Sequence, residues 1–443
     1  MKKVMLWWIV VSLYASICYS SENNTTSYTL DNGLKLIIRE DHRTPAAIAQ
    51  IWYHVGSAQE SLGSTGIAHA LEHMMFQGTP THPRGQFAET IHRLGGRFNA
   101  FTSYDMTVYH ALVTANALPQ SLELEADRLQ HLNLWDENFE KELQVVIEER
   151  RLRVEDDPQQ LFSERFFAEV LTANPYQNPV IGWQHDLDNL TTTDLRTFYN
   201  TWYAPNNATL IIVGDVNTKD MLTLVKKLFG KIPAKPVPTK KPVTLLRAFG
   251  EKRLQMNIPA KVPYVSLAYE VPTYPNHKTP RDIAALTLIS VILDGDASSR
   301  LTQKLLREKA LAASVRTEYD PLMRFPSLFI LSATPSGSHT VAELEQALLE
   351  EINQLQHIPV TDKELQRAKT LWLANTTYTS DSVDQQALKI GAWENLGLPW
   401  ETADTFDALL QTITPNDIQA VAQQYLGPNN RSVGFLNPAS QGT

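Results

Sequence analysis

The segment STGIAHALEHMMFQGTP, residues 64–80, places two histidines and a glutamate inside one short apolar run. Its spacing predicts a helix over 65–77, with Ser64 or Thr65 as N-cap and Gly78 and Pro80 as stop signals. Positions i, i+3 and i+4 share a helix face, so His69, Glu72 and His73 point the same way. Two imidazoles one turn apart can reach a single ion at about 2.0–2.1 Å, the bond length of zinc to nitrogen. The glutamate between them suits a general base acting on a water at that ion. A lone histidine on an amphipathic helix is more often a half-buried surface residue, and it is the combined pattern that favours a metal. Two histidines leave the coordination open by two, so a third protein ligand is required.

The third ligand is sought in FEKELQVVIEERRLRVEDDP, residues 139–158. Glu142 and Glu149 lie two helical turns apart and share a face with Val145, Val146 and Leu152, read as an apolar stripe. A carboxylate on such a stripe is costly unless it is paired or ligates a metal. Glu148, Arg150 and Arg151 are assigned to the solvated sides. The bland alternative for Glu149 is a salt bridge to a nearby arginine.

Around these two helices the pattern is α+β. SYTLDNGLKLIIRED reads as a hairpin turning at Asp31-Asn32-Gly33, and PAAIAQIWYHVGS as a further strand. A second helix is expected at 84–94, a strand pair in RFNAFTSYDMTVYHALVTA, helices at 117–131 and 137–155, and a buried strand in NATLIIVGDV. The stretch KIPAKPVPTKKPV, with four prolines and four lysines, is the expected linker, assigned to 231–245. Beyond it the order recurs: a strand at VPYVSLAYEVP, a helix from Arg281 to Leu293, a strand at SLFILSATP and then helices to the end. The expected organisation is a signal segment at 1–20, a first domain at 21–230, the linker, and a similar second domain at 246–443. Each domain is an antiparallel sheet packed with helices.

The chain has 443 residues, 43% apolar and 20% charged, with a net charge of −9. That composition is of a folded protein and, lacking a long basic block, argues against nucleic acid as a partner. MKKVMLWWIVVSLYASICYS reads as a removable export signal: Lys2 and Lys3 lead an apolar run too short to span a bilayer. Ser20 is the expected last residue of the signal. Lipidation of Cys18 is disfavoured by the bulky Ile17 before it. Cys18 is the single cysteine, so the chain without its signal forms no disulfide. The expected location is the periplasm or the exterior.

The H-x-x-E-H order of His69, Glu72 and His73, with Glu149 76 positions beyond His73, resembles the M16 zinc metallopeptidases, the pitrilysin, insulysin and mitochondrial processing peptidase family. GIAHALEHMMFQGT, GGRFNAFTSYDMTVYH, NPVIGWQHDLDNLTTTDLRTFYNTWYAPNNATLIIVGDV and SSRLTQKLLREKALAASV extend the likeness from about Tyr28 to Pro438. The resemblance implies one zinc per chain on His69, His73 and Glu149, Glu72 as base, and Glu142 orienting a ligand histidine. It implies an edge strand at Asn99 and Ala100 on which peptide substrates dock as an added strand. Short or unfolded peptides are the implied substrates, cut in a chamber closed by two clamshell halves. The family's second-domain arginine and tyrosine are incomplete here: Arg307 is present, but the segment is one residue shorter and Ala312 and Ala313 stand where the tyrosine would fall. That departure points to a homodimer, or to a heterodimer with a paralogue carrying the arginine–tyrosine motif. A non-catalytic assembly subunit of the same fold is the competing expectation.

Overall fold

A computed structural model of the chain describes residues 24–239, 250–276 and 279–439. The expected signal at 1–20 and the later part of the expected linker lie outside the described residues.

The first sheet is built from β1 (Thr25–Thr29), β2 (Lys35–Glu40), β3 (Ala46–Tyr53), β4 (Arg97–Thr102), β5 (Thr107–Thr114) and β6 (Ala208–Gly214), in the order β1-β2-β6-β3-β5-β4. The β1–β2 turn falls where Asp31-Asn32-Gly33 placed it. Gly33 takes φ +85°, and Asn32 Nδ2 donates to Phe229 O and Ile232 O, both at 2.8 Å. β6 is buried along its whole length, as its unbroken apolar run requires. Five helices matter for the site: α1 (Ile67–Met74), α2 (Gln86–Arg93), α3 (Leu118–His131), α4 (Asp136–Arg150) and α5 (Pro158–Val170). α4 runs directly into a π-helical turn, Arg151–Glu155.

The second sheet contains β7 (Lys252–Pro259), β8 (Tyr264–Val271), β9 (Ala312–Glu318), β10 (Ser327–Pro335) and β11 (Arg431–Ala439), in the order β7-β11-β8-β10-β9. Its topology repeats that of β2-β6-β3-β5-β4 strand for strand. In both sheets the last strand inserts beside the first and runs parallel to it, β6 along β2 and β11 along β7. The sheets are therefore mixed where the sequence led us to expect antiparallel ones. The expected helical C-terminus is also corrected. The described residues end in β11, whose apolar residues Val433 and Leu436 are buried between β7 and β8.

Each half lends a helix to the other. The helix Val383–Asn395 covers the outer face of the first sheet, its Ala387 and Ile390 packing with Ile48, Trp52 and Ile211. It approaches so closely that a Cβ on Gly391 would lie 2.1 Å from the Trp52 ring. In return α5 lays Phe162, Phe166 and Val170 on Ile258, Ala268 and Leu436 of the second sheet, over Gly434. The expected linker begins docked rather than extended into solvent: Ile232 is buried, and the Lys235 backbone exchanges hydrogen bonds with the Asn206 side chain.

Candidate metal centre

α1 starts two residues later than its spacing predicts, at a glycine. Gly66 takes φ +86°, and a Cβ there would fall 2.6 Å from Ile181 O. Neither Ser64 nor Thr65 caps the helix. The Glu60 carboxylate instead accepts from Gly66 N and Ala68 N, both at 2.8 Å. Thr65 Oγ1 donates to Asp186 Oδ2 at 2.6 Å, and that same oxygen accepts from Thr65 N and Gly63 N. Glu60 thus satisfies two of the free N–H groups at the positive end of the helix, and Asp186 ties down the loop that leads into it. Ala68, Leu71 and Met74 bury the opposite face, which turns His69, Glu72 and His73 toward α4 and β4.

α4 meets them at an angle the sequence misjudged. Its buried row is Phe139, Leu143, Val146 and Arg150, at helical spacing. Glu142 and Glu149 stand at the edge of that row, beside the cleft. Val145 and Leu152 are 49% and 57% exposed, so of the expected apolar stripe only Val146 is part of the core. Arg150, expected on a solvated side, is buried. Its guanidinium donates to Glu164 Oε2 at 2.6 Å and to Gly182 O at 2.8 Å, which ties α4 to α5. A buried arginine is tolerable when it is paired and hydrogen-bonded in this way.

His73 Nε2 lies 3.3 Å from Glu149 Oε2, and His69 Nε2 lies 3.8 Å from that same oxygen. All three ligand atoms fall within 4.8 Å of one another. Atoms bound tetrahedrally to zinc at about 2.0–2.2 Å would sit about 3.3–3.6 Å apart, and the two separations from Glu149 Oε2 lie at or near that range. The donor set, two imidazoles and a carboxylate, also suits that ion. Among the described residues, His69 Nδ1 is buried without a hydrogen-bond partner. Glu142 Oε2 is 3.5 Å from His73 Nδ1, while Arg84 Nη2 donates to Glu142 Oε1 at 2.9 Å. Arg153, from the π-helical turn, pairs with Glu149 Oε1 at 2.7 Å. The salt bridge weighed for Glu149 therefore exists, and it leaves the other oxygen to the histidines.

The electrostatics agree with this division of labour. Burial, helped by the neighbouring His73, pushes His69 down to about 4, so its imidazole is neutral and able to ligate. Burial also acts against charge on His73, but hydrogen bonds to Glu142 and Glu149 outweigh it and raise the ring to about 9. The carboxylates that favour a proton there would equally favour a metal cation in its place. Burial raises the Glu72 carboxyl above its ordinary value, while a hydrogen bond from Thr102 opposes the rise. A glutamate tuned upward is suited to proton transfer near neutral pH.

His69, Glu72, His73, Glu142, Glu149, Asn99 and Ala100 all line one cleft of about 760 Å³. Asn99 and Ala100 lie on β4, the edge strand of the first sheet. Arg307 is not brought there. It sits exposed in a second π-helical stretch, Thr302–Glu308, before β9, with Ala312 buried and Ala313 exposed in that strand. Tyr319, too far along to replace the missing tyrosine, is committed elsewhere, its hydroxyl donating to Pro272 O at 2.8 Å. Sequence reasoning missed Thr102, Arg84, Arg153, Glu60 and Asp186. Two had a readable signal: Thr102 is two residues past Ala100 in a strand and so on the same face, and Arg153 is four residues past Glu149, the spacing of the salt bridge already weighed for it.

Two family profiles match the chain, "Insulinase (Peptidase family M16)" over residues 35–183 and "Peptidase M16 inactive domain" over 189–371. The zinc protease PqqE of Helicobacter pylori is 30% identical over 420 residues, covering 93% of this chain and 92% of the relative. The uncharacterized zinc protease YmxG of Bacillus subtilis is 25% identical, over 93% of this chain and 98% of its own. The crystal structure of a protease from Helicobacter pylori superimposes with a TM-score of 0.89 at 29% identity, covering 94% of this chain and 99% of that one. The periplasmic protease PqqL from Escherichia coli shares the fold, with a TM-score of 0.78 at 22% identity over 94% of this chain and 48% of its own. With profile matches across both halves and full-length relatives named as zinc proteases, the chain belongs to peptidase family M16.

Proposed function

We propose that this chain is an exported zinc-dependent endopeptidase that hydrolyses short or unfolded peptides. The observation that carries the reading is the convergence of His69, His73 and Glu149 within 4.8 Å, in the same cleft as Glu72. His69, His73 and Glu149 would hold one zinc ion, whose chemistry when bound is to polarise a carbonyl and make a water more acidic. Glu72 takes the proton from the attacking water and returns it to the leaving amine. Glu142 holds the His73 ring by its Nδ1, and Arg153 restrains the Glu149 carboxylate. A peptide laid along the open edge of β4 at Asn99 and Ala100 is bound through its main chain, so side chains are read only weakly.

The same reading makes this chain the zinc-bearing member of a homodimer or of a heterodimer with an M16 paralogue. The exposed position of Arg307, outside the metal cleft, and Ala313 in place of a tyrosine support it. The recurrence of this fold in PqqL, of whose length this chain covers 48%, is consistent with a second half supplied by another chain. Export is supported by the N-terminal sequence and by the periplasmic naming of PqqL. Among the described residues no helix is long and apolar enough to cross a membrane. A purely structural role is favoured by the altered arginine–tyrosine segment and by the inactive-domain profile over residues 189–371, and all four zinc-site residues weigh against it.

The test is hydrolysis of a quenched peptide by the purified protein and by Glu72→Gln, with bound zinc measured in both. Zinc in both and activity in the wild type alone is expected. Zinc without activity in either calls for the partner subunit, and absence of zinc refutes the enzyme reading.

A further inference from the structure

β4 does more than present an open edge. Its residues alternate between two faces, and the row Phe98, Ala100, Thr102 shares the face turned toward α1, where Phe98 and Thr102 make their contacts. Phe98 packs its ring against Phe76, just past the end of α1, with centroids 5.3 Å apart. One helical turn earlier, Thr102 Oγ1 donates to Glu72 Oε2 at 2.5 Å. The strand therefore grips the metal-bearing helix at two points, and one of them is the base itself.

The Thr102 end of β4 is also its fixed end. Ser103 N donates to Met106 O at 2.8 Å, closing the turn into β5. Ser57 N and Ala58 N donate to Ser103 O and Tyr104 O at 3.1 and 2.8 Å. Gly56 lets the two segments approach, since a Cβ there would lie 2.1 Å from Ser103 O. Ala100, two positions back, is in register with Tyr109 as a non-hydrogen-bonded pair, so its backbone faces the open edge of the sheet, while Asn99 beside it is paired with His110.

From this geometry we infer that Thr102 is a positioning residue for Glu72. It occupies one carboxylate oxygen and leaves the other for the water, and a peptide strand added to β4 stiffens the element that holds the base. Peptide docking and base alignment are then a single event, so binding energy along β4 is expressed in kcat. This rests on the peptidase reading above and deepens it.

The experiment compares wild type, Thr102→Val and Thr102→Ser on quenched peptides of increasing length, with bound zinc measured for each. Thr102→Val is expected to keep its zinc and its KM within about twofold while kcat falls at least about tenfold; Thr102→Ser restores kcat to within about threefold. In the wild type kcat rises several-fold as the peptide lengthens along β4, and in Thr102→Val it stays flat. A Thr102→Val enzyme with wild-type kcat, or with its loss confined to KM, overturns the inference while leaving the peptidase reading intact. A melting-temperature cycle with Glu72→Ala tests the contact without activity. Thr102→Val is expected to lower the melting temperature in wild type and to add nothing in the Glu72→Ala background. Additive losses overturn the inference even if the protein proves to be no peptidase.

Discussion

The helix after β3 and the helix after β8 hold the same place in two sheets of the same topology, yet they have opposite characters. The first, α1, is eight residues long and carries His69, Glu72 and His73 on its open side. The second, Pro280–Asp294, buries Ile283, Leu286, Ile289, Ile292 and Leu293 among others, and its one buried hydroxyl, on Thr287, is satisfied within the helix by Ile283 O. The difference teaches what a site costs within one fold. α1 keeps a polar face only because Glu60 and Asp186 anchor its start and Glu142, Glu149 and Thr102 receive its side chains. The second helix has no such escort and resolves into core.

The strongest way to erase the contrast is to remove a ligand. His73→Ala or Glu149→Ala is expected to abolish bound zinc and all measurable hydrolysis, read by metal analysis and a quenched-peptide assay. Glu72→Gln should leave the metal in place and lower kcat by about 10²- to 10⁴-fold. Glu142→Gln, which releases the His73 ring, should weaken zinc affinity by about 10- to 100-fold in a chelator competition, with the fold unchanged by circular dichroism.

The opposite probe acts on the second half. Phe329 is fully buried in β10, and Phe329→Ala is expected to cost about 3–5 kcal/mol in denaturant unfolding. Zinc content of the protein that remains folded should be unchanged. Loss of zinc there would mean that the exchanged helices couple the halves more tightly than their contacts indicate.

The smallest effect is one in which the halves should behave alike. Asp127 in the first half is held down to about 2: burial opposes this, but hydrogen bonds from Thr79, His82 and His131 prevail. Asp417 in the second is also held near 2, chiefly by Arg281. A carboxyl whose folded pKa lies below its unfolded value near 4 adds stability above that value, and loses it as pH falls toward 2. Asp127→Asn and Asp417→Asn should each flatten the fall in stability between about pH 4 and pH 2, measured by thermal melts across that window.

Much of this was legible in the chain because it depends on local periodicity. The hairpin at Asn32-Gly33, the buried run of β6 and the histidine pair of α1 each announce themselves within one element. What escaped involved partners distant in sequence. β7 and β9 are edge strands that were not read as strands, although their exposure alternates over most of their length, with Leu254, Met256 and Ile258 of β7 turned inward. Arg150 looked solvated because its partner, Glu164, lies on the next helix. Thr65 looked like a cap because Glu60 and Asp186 could not be seen to take its place.

By itself the sequence determined the chemistry available: two imidazoles and a glutamate on one helix turn, a carboxylate two turns beyond Glu142, and a strand ready to follow. Side-chain spacing on a helix is a local property and survives any packing. Only the tertiary structure decided that α1, α4 and β4 converge. It also decided that Arg153 and Thr102 restrain the two glutamates, and that Arg307 stays outside the cleft. Those outcomes depend on how the helices cross and which groups become buried, which no window of sequence contains.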